Sequence, residues 1–241
     1  ILPDCDCEGC SIVGNNCTIP FLFHSDSAGK LEYSAINITY HSQPFVELVS
    51  PANNSLKNAT VTFTCNASSV NISNMTLYIW YSNNTLLYNN TIANIYTKTA
   101  EKSWSYTFTT DDNYKWNCLA YDVDGYSDWA DENYTVIVDV TKPLVSFVSP
   151  TPANASIKSE TSITFNVSVT EKNLDSVVIY YNSDNATMSC SGSSPNYYCN
   201  ATLTLSENTT YNYYVKATDL AGNTNQRETR KLWIGSIKGR I

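Results

Sequence analysis

Tyr114-Lys-Trp-Asn-Cys-Leu-Ala-Tyr-Asp-Val-Asp-Gly125 and Tyr211-Asn-Tyr-Tyr-Val-Lys-Ala-Thr-Asp-Leu-Ala-Gly222 are two versions of one pattern. Each begins at a Tyr, alternates apolar and polar positions, and reaches Ala, one intervening residue, Asp, and then Gly three residues later. Period-two alternation is the mark of a strand with one buried face. An Asp followed by Gly is turn chemistry, because Asp hydrogen-bonds nearby backbone and Gly takes the left-handed conformation. Both stretches therefore read as a strand running into a turn.

Working outward, the neighbours match as well. Phe45-Val-Glu-Leu-Val-Ser-Pro51 aligns with Leu144-Val-Ser-Phe-Val-Ser-Pro150, and Val61-Thr-Phe-Thr-Cys65 with Ile163-Thr-Phe-Asn-Val167. Leu77-Tyr-Ile-Trp-Tyr81 aligns with Val177-Val-Ile-Tyr-Tyr181. The spacing is close to 100 residues throughout, which is the size of a β-sandwich domain. No window carries a 3.6-residue apolar period. The fold class expected is all-β: tandem immunoglobulin-like β-sandwiches behind a Cys-rich N-terminal β segment. Boundaries fall at 1–43 for that segment, 44–141 and 142–235 for the two sandwiches, and 236–241 for a tail. The sandwiches meet at Val140-Thr-Lys-Pro143, where Pro cannot donate to a ladder. Each is expected to hold about seven short strands.

The parity of the third matched block decides which aromatics face water. Met75, Leu77, Ile79 and Tyr81 form one face, and Thr76, Tyr78, Trp80 and Ser82 the other. The apolar face is the odd one, so Tyr78 and Trp80 point outward, and the same parity turns Tyr180 out. Such rings usually meet a partner. With Phe21 and Phe23 they form the candidate interaction surface.

The 241 residues carry a net charge of −8, and only 15% are charged, while Asn, Ser and Thr number 28, 28 and 27. An acidic surface without a basic patch excludes nucleic acid as partner. No run approaches the roughly 20 apolar residues of a spanning helix. Ile1-Leu-Pro3 leads straight into a Cys cluster, so a processed or trimmed chain is expected.

Eight cysteines place the chain in an oxidising compartment. N-x-Ser/Thr sequons begin at Asn16, Asn37, Asn53, Asn58, Asn66, Asn71, Asn74, Asn83, Asn89, Asn133, Asn154, Asn166, Asn185, Asn200 and Asn208. That is 15, against about six expected from composition. Asn37, Asn66, Asn133, Asn166 and Asn200 each fall on the solvent parity of their strand, as a glycan requires. N-glycosylation outside the cell, or on its surface, is expected.

The repeat resembles the tandem immunoglobulin-like domains of prokaryotic, especially archaeal, cell-surface and extracellular filament proteins. The likeness covers roughly residues 44 to 235 and rests on Ala120-Tyr-Asp-Val-Asp-Gly125 and Ala217-Thr-Asp-Leu-Ala-Gly-Asn223, which look like strand F entering the F–G turn. It implies that Cys65 and Cys118 sit on strands B and F as an inter-sheet disulfide, with Val167 and Val215 in the same slot of the second copy. Such a bridge contributes up to about 4 kcal/mol by chain entropy. Cys190 and Cys199 would close a short loop around Gly192-Ser-Ser-Pro195, contributing about 2.7 kcal/mol on the same basis.

Residues 1–43 belong to neither repeat. A strand near Cys17 to His24, a turn at Asp26-Ser-Ala-Gly29 and a strand from Leu31 to Tyr40 are expected. Two strands make no stable core alone, so the segment needs a partner: the first sandwich, an upstream domain or another chain. Cys5, Cys7, Cys10 and Cys17 are spaced C-x-C-x2-C-x6-C, where only Cys7 and Cys10 fit a zinc knuckle. Disulfides are expected, in one of three connectivities.

Chemistry is sparse. The only histidines are His24 and His41, with no serine elbow beside them, so a nucleophilic triad is not expected. Asp122, Asp124 and Asp128 loosely resemble a calcium loop, but the second copy keeps only Asp219, which favours a capped turn. No catalytic residue, metal or cofactor is expected. The reading is a structural, non-enzymatic subunit of an N-glycosylated filament or surface layer. Its partners are other copies of itself, joined by strand exchange or edge contacts. An adhesive or glycan-binding stalk module is the alternative.

Overall fold

A computed structural model of the chain describes residues 43–235 in full and, by their backbone, three strands before them. Those are β1 (Ser11–Val13), β2 (Asn16–Phe23) and β3 (Glu32–Thr39). β2 pairs antiparallel with both neighbours, Cys17 lying opposite Ile12 and Ile38. Two strands were expected here, and β1 is the addition. Among the described residues of this segment, β2 is paired on both sides. The side chains of Phe21, Phe23, Asn16 and Asn37, the pairing of Cys5, Cys7, Cys10 and Cys17, both histidines and the tail 236–241 lie outside the described residues.

The first sandwich comprises β4 (Phe45–Ser50), β5 (Ser55–Lys57), β6 (Thr60–Trp80), β7 (Leu86–Thr107), β8 (Asp112–Asp122), β9 (Ser127–Trp129) and β10 (Tyr134–Val138). β6 and β7 are 21 and 22 residues long, not the short strands expected. Neither stretch contains Gly or Pro to interrupt it. Both run through the bend of one seven-stranded sheet, whose two halves face each other across the core. The first half of β6 pairs with β4, and after register shifts between Ser68 and Asn74 its second half pairs with β8. β7 follows it around the bend, with positive φ at Asn94 and Tyr96.

The second sandwich holds β11 (Leu144–Val148), β12 (Ser156–Lys158), β13 (Ser162–Thr170), β14 (Leu174–Tyr181), β15 (Asp184–Thr187), β16 (Ser189–Ser193), β17 (Asn196–Thr204), β18 (Thr209–Asp219), β19 (Thr224–Gln226) and β20 (Arg230–Ile234). Its sheets are ordered β11-β13-β17-β16 and β12-β20-β18-β14-β15. β15, β16 and β17 occupy the course that β7 runs unbroken in the first copy. Gly192, with φ of 107°, and Pro195 bracket the turn from β16 to β17.

The cores follow the repeat. Phe63 meets Trp116 edge-on at 5.1 Å, and their counterparts Phe165 and Tyr213 meet at 4.9 Å. Edge-to-face pairing suits the ring quadrupoles. Cys65 and Cys118 are joined and fully buried, linking the first half of β6 to β8 across the core of the bent sheet, and Val167 and Val215 are equally buried in the second copy. Cys190 and Cys199 are joined as cross-strand partners on β16 and β17. In each copy a tyrosine at the start of the long F-type strand ties back to the preceding loop. Tyr114 Oη donates to Thr110 O at 3.0 Å, and Tyr211 Oη accepts from Ser206 N at 2.9 Å. The contact is similar to the tyrosine corner of immunoglobulin-like sandwiches, but each tyrosine lies four residues before the core slot where that motif has two.

Candidate functional site

The Asp–Gly turns resolve first. Asp122 is buried, and its Oδ1 accepts from the backbone N–H of Asp124 at 3.0 Å and of Tyr126 at 2.9 Å, while Ser69 Oγ donates to Oδ2. Asp128 caps Trp129 N instead, so the three aspartates do not converge. In the second copy Asp219 accepts from Asn223 N and Nδ2. Gly125 and Gly222 close the turns at φ of 88° and 89°, where any Cβ would be strained.

Parity sets the outward surface. Leu77, Ile79, Val177 and Ile179 are buried, while Tyr78, Trp80 and Tyr180 alternate onto the water side and are half-buried. They are half-buried because they cover one another. Tyr78 stacks on Trp80 with ring centroids 5.7 Å apart and planes 11° apart, and Trp129 leans on both. Tyr180 stacks on Tyr214 at 4.9 Å and 9°. Trp129 and Tyr214 belong to these patches, yet the sequence reading did not single them out. Trp129 lies on short β9, whose pairing with β8 brings it beside Leu119. Tyr214 does alternate against buried Tyr213 and Val215, so parity alone could have found it.

The acceptor asparagines of the sandwiches divide by exposure. None is buried; Asn66, Asn71, Asn74 and Asn166 are half-buried, and the other nine are exposed. Asn166 is the most enclosed in chemistry. Its Nδ2 donates to Ser149 O, and its Oδ1 is buried without a partner. The cause is the Ser149–Thr151 turn, whose Thr151 Oγ1 also accepts from Asn166 N.

Among the edge strands of the described residues, β4 and β11 each end a sheet, and each begins with a bare apolar side chain at the same repeat position, Phe45 at 57% exposed and Leu144 at 61%. A groove of about 380 Å³ runs along β4 from Phe45 to Val49, walled on the other side by Ala130, Asp131, Glu132 and Tyr134.

At the junction of the sandwiches the chain gathers three carboxylates. Asp139 follows β10, Glu171 follows β13, and Asp219 ends β18; all are buried, with an oxygen from each within 4.8 Å of the others. Asn173 Nδ2 donates to Asp139 Oδ2 at 2.8 Å, and Asn223 Nδ2 to Asp139 O at 2.7 Å. Residues of the second domain thus clamp the end of the first. Burial pushes the Glu171 carboxyl above its ordinary range, and the charges of Asp139 and Asp219 push the same way, against hydrogen bonds from the Asn173 and Lys172 backbone. An all-oxygen set of this kind could hold a hard cation such as calcium, and among the described residues it is the one grouping that could hold a metal. The sequence reading missed it because no spacing motif links the three positions; Asp219 reads locally as a turn cap, and only topology brings the others to it.

No family model matches the chain, and no curated protein matches it. Among solved structures, the fibronectin(III)-like modules of Clostridium thermocellum CbhA are similar at 17% identity, over 79% of this chain and 94% of that one, with a TM-score of 0.45. An I-band fragment of titin is similar at 16% identity, over 80% and 66%, with a TM-score of 0.44. An ICAM-5 ectodomain fragment is similar at 12% identity, over 91% and 60%, with a TM-score of 0.40. No helix among the described residues is long and apolar enough to cross a membrane.

Proposed function

We propose that this chain is a structural, non-enzymatic subunit of an N-glycosylated extracellular filament or surface layer. Copies join when residues 1–43, or the tail 236–241, extend the open sheet edge of a neighbour. The observation that carries this reading is the groove beside β4, lined by five consecutive edge-strand residues. An edge strand presents unpaired N–H and C=O groups, and an added strand satisfies them while its alternate side chains fill the groove. Phe45 would gain cover in this contact, and Leu144 in a matching one at β11, at about 25 cal/mol per Å² of apolar surface removed from water. A head-to-tail contact that does not close produces a fibre.

Electron microscopy and sedimentation of the full chain test it. Ordered fibres, lost when residues 1–43 are removed and partly restored when that segment is added back as a peptide, are the expected outcome. Full-length chain that stays monomeric at high concentration would end the idea. The stacked rings of Tyr78 and Trp80, with Trp129 tilted against them, favour a second reading, an adhesive module that binds glycans.

A further inference from the structure

Tyr78 on β6 lies directly opposite Asn89 on β7, and Tyr180 on β14 lies directly opposite Asn185 on β15. Residues opposed in an antiparallel pair share a face, with Cβ atoms about 4.5–5.5 Å apart. Asn89-Asn-Thr91 and Asn185-Ala-Thr187 are both sequons, and both asparagines are exposed. Each copy therefore sets an available acceptor beside an outward ring that is already stacked on a second aromatic.

Inheritance from the repeat does not account for this. In the aligned blocks Tyr78 corresponds to Val178, and Tyr180 corresponds to Trp80. The two copies reach the same juxtaposition with different residues of the C-type strand. Asn74 also faces an aromatic, Tyr121, but it is half-buried and its Nδ2 donates to Ser73 Oγ.

We infer that Asn89 and Asn185 carry N-linked glycans whose innermost pyranose rings lie on Tyr78 and Tyr180, so that the saccharide is a packed part of each sandwich. The inference rests on the reading of the chain as an N-glycosylated extracellular protein. Attachment forms a bond from Asn Nδ2 to the anomeric carbon of a polyprenyl-phosphate-linked oligosaccharide. The anomeric C–O bond to the lipid phosphate breaks, that phosphate leaves with the electron pair, and one Nδ2 proton passes to a base of the transferring enzyme. Once attached, the sugar has an apolar face of C–H groups that can cover a ring otherwise left in water, the amphipathic match that places aromatic residues at sugar contacts. The tether removes most of the cost of association, because the second contact is intramolecular.

The test is a double-mutant cycle on the full chain made in an N-glycosylating host, with occupancy read by glycopeptide mass spectrometry. Tyr78→Thr and Asn89→Gln are combined in one cycle, Tyr180→Thr and Asn185→Gln in another. The expected result is coupling: each tyrosine change lowers the melting temperature by about 4 °C more when its glycan is present than in the Gln background. Made in a host without the machinery, the same pairs should be additive. Because Tyr78→Thr also disturbs Trp80 and Trp129, an NMR readout on the unsubstituted glycoprotein stands beside the cycle, in which innermost-sugar protons should shift upfield under the tyrosine ring current. Additive effects in the glycosylated chain, with no such shift, would overturn the inference. So would empty Asn89 and Asn185 while other sequons are occupied, which leaves the wider reading standing. Bare asparagine at every sequon of chain from a competent host would overturn both.

Discussion

The indole of Trp116 stands edge-on to the ring of Phe63 at the centre of the first sandwich, 5.1 Å between centroids and 63° between planes. Both residues are fully buried. Trp80, on the C-type strand where antibody domains bury their tryptophan, faces outward here, and Trp116 fills the core from the strand that carries Cys118.

Truncating either partner should be severe. Trp116→Ala or Phe63→Ala removes a buried aromatic and leaves a cavity, so a loss of about 3–5 kcal/mol is expected in urea denaturation. Trp116→Phe should cost much less, because the indole N–H has no hydrogen-bond partner to lose. Tyr213→Phe in the second copy should cost about 1 kcal/mol through the hydroxyl alone, since Tyr213 Oη donates to Pro152 O. A Trp116→Phe variant as unstable as the alanine one would refute the packing account.

The buried disulfide invites a replacement that the second copy already makes. Cys65 and Cys118 are both fully buried, and Val167 and Val215 stand in their place in the other sandwich. Replacing both cysteines with alanine should cost up to about 4 kcal/mol in chain entropy, together with a cavity. The double valine variant should keep the entropic loss and recover the packing. Thermal melts of the two variants would separate these contributions, and equal melting temperatures would show that packing in this slot contributes nothing.

Much of the fold was legible because strands repeat at period two and Asp–Gly turns have a fixed chemistry. The Tyr114–Gly125 and Tyr211–Gly222 stretches carry both signals, and the half-cystine slot carries a third. Outward Tyr78, Trp80 and Tyr180 followed from parity alone. Three features were not legible. The long β6 and β7 have no local stop signal, and the bend of their sheet is set by which neighbours pair with each half. Trp116 alternates correctly, but nothing local marks it as the central core ring. Asp139, Glu171 and Asp219 meet only because the first sandwich ends against the second.

The Asp122 turn separates a cap from a cation loop. Its carboxylate accepts two backbone N–H groups and the Ser69 hydroxyl. Asp122→Ala would leave these donors without their acceptor, at about 1–3 kcal/mol. The loss should be the same in calcium and in chelator. A first-domain melting temperature that rises with calcium in the unsubstituted chain, and not in the variant, would restore the calcium-loop reading.

Glu171 makes the stability of the second sandwich depend on pH. Burial raises its carboxyl pKa, and the facing carboxylates of Asp139 and Asp219 add to the effect. The folded state therefore holds a proton that the unfolded chain, with a glutamate pKa near about 4.3, gives up first. The stabilisation from that proton is complete below the unfolded pKa and is lost as pH rises through the raised folded value. Glu171→Gln keeps a neutral acceptor for Asn173 N, which now bonds Glu171 Oε1 at 2.9 Å, and it has no proton to lose. Urea midpoints measured from about pH 4 to about pH 8 should fall for the unsubstituted chain relative to Glu171→Gln across this window, with lowered carboxyls such as Glu228 contributing equally to both. The variant should then gain most over the parent at the alkaline end. Parallel pH profiles for the two proteins would show that the junction carboxylates do not hold a proton in this way.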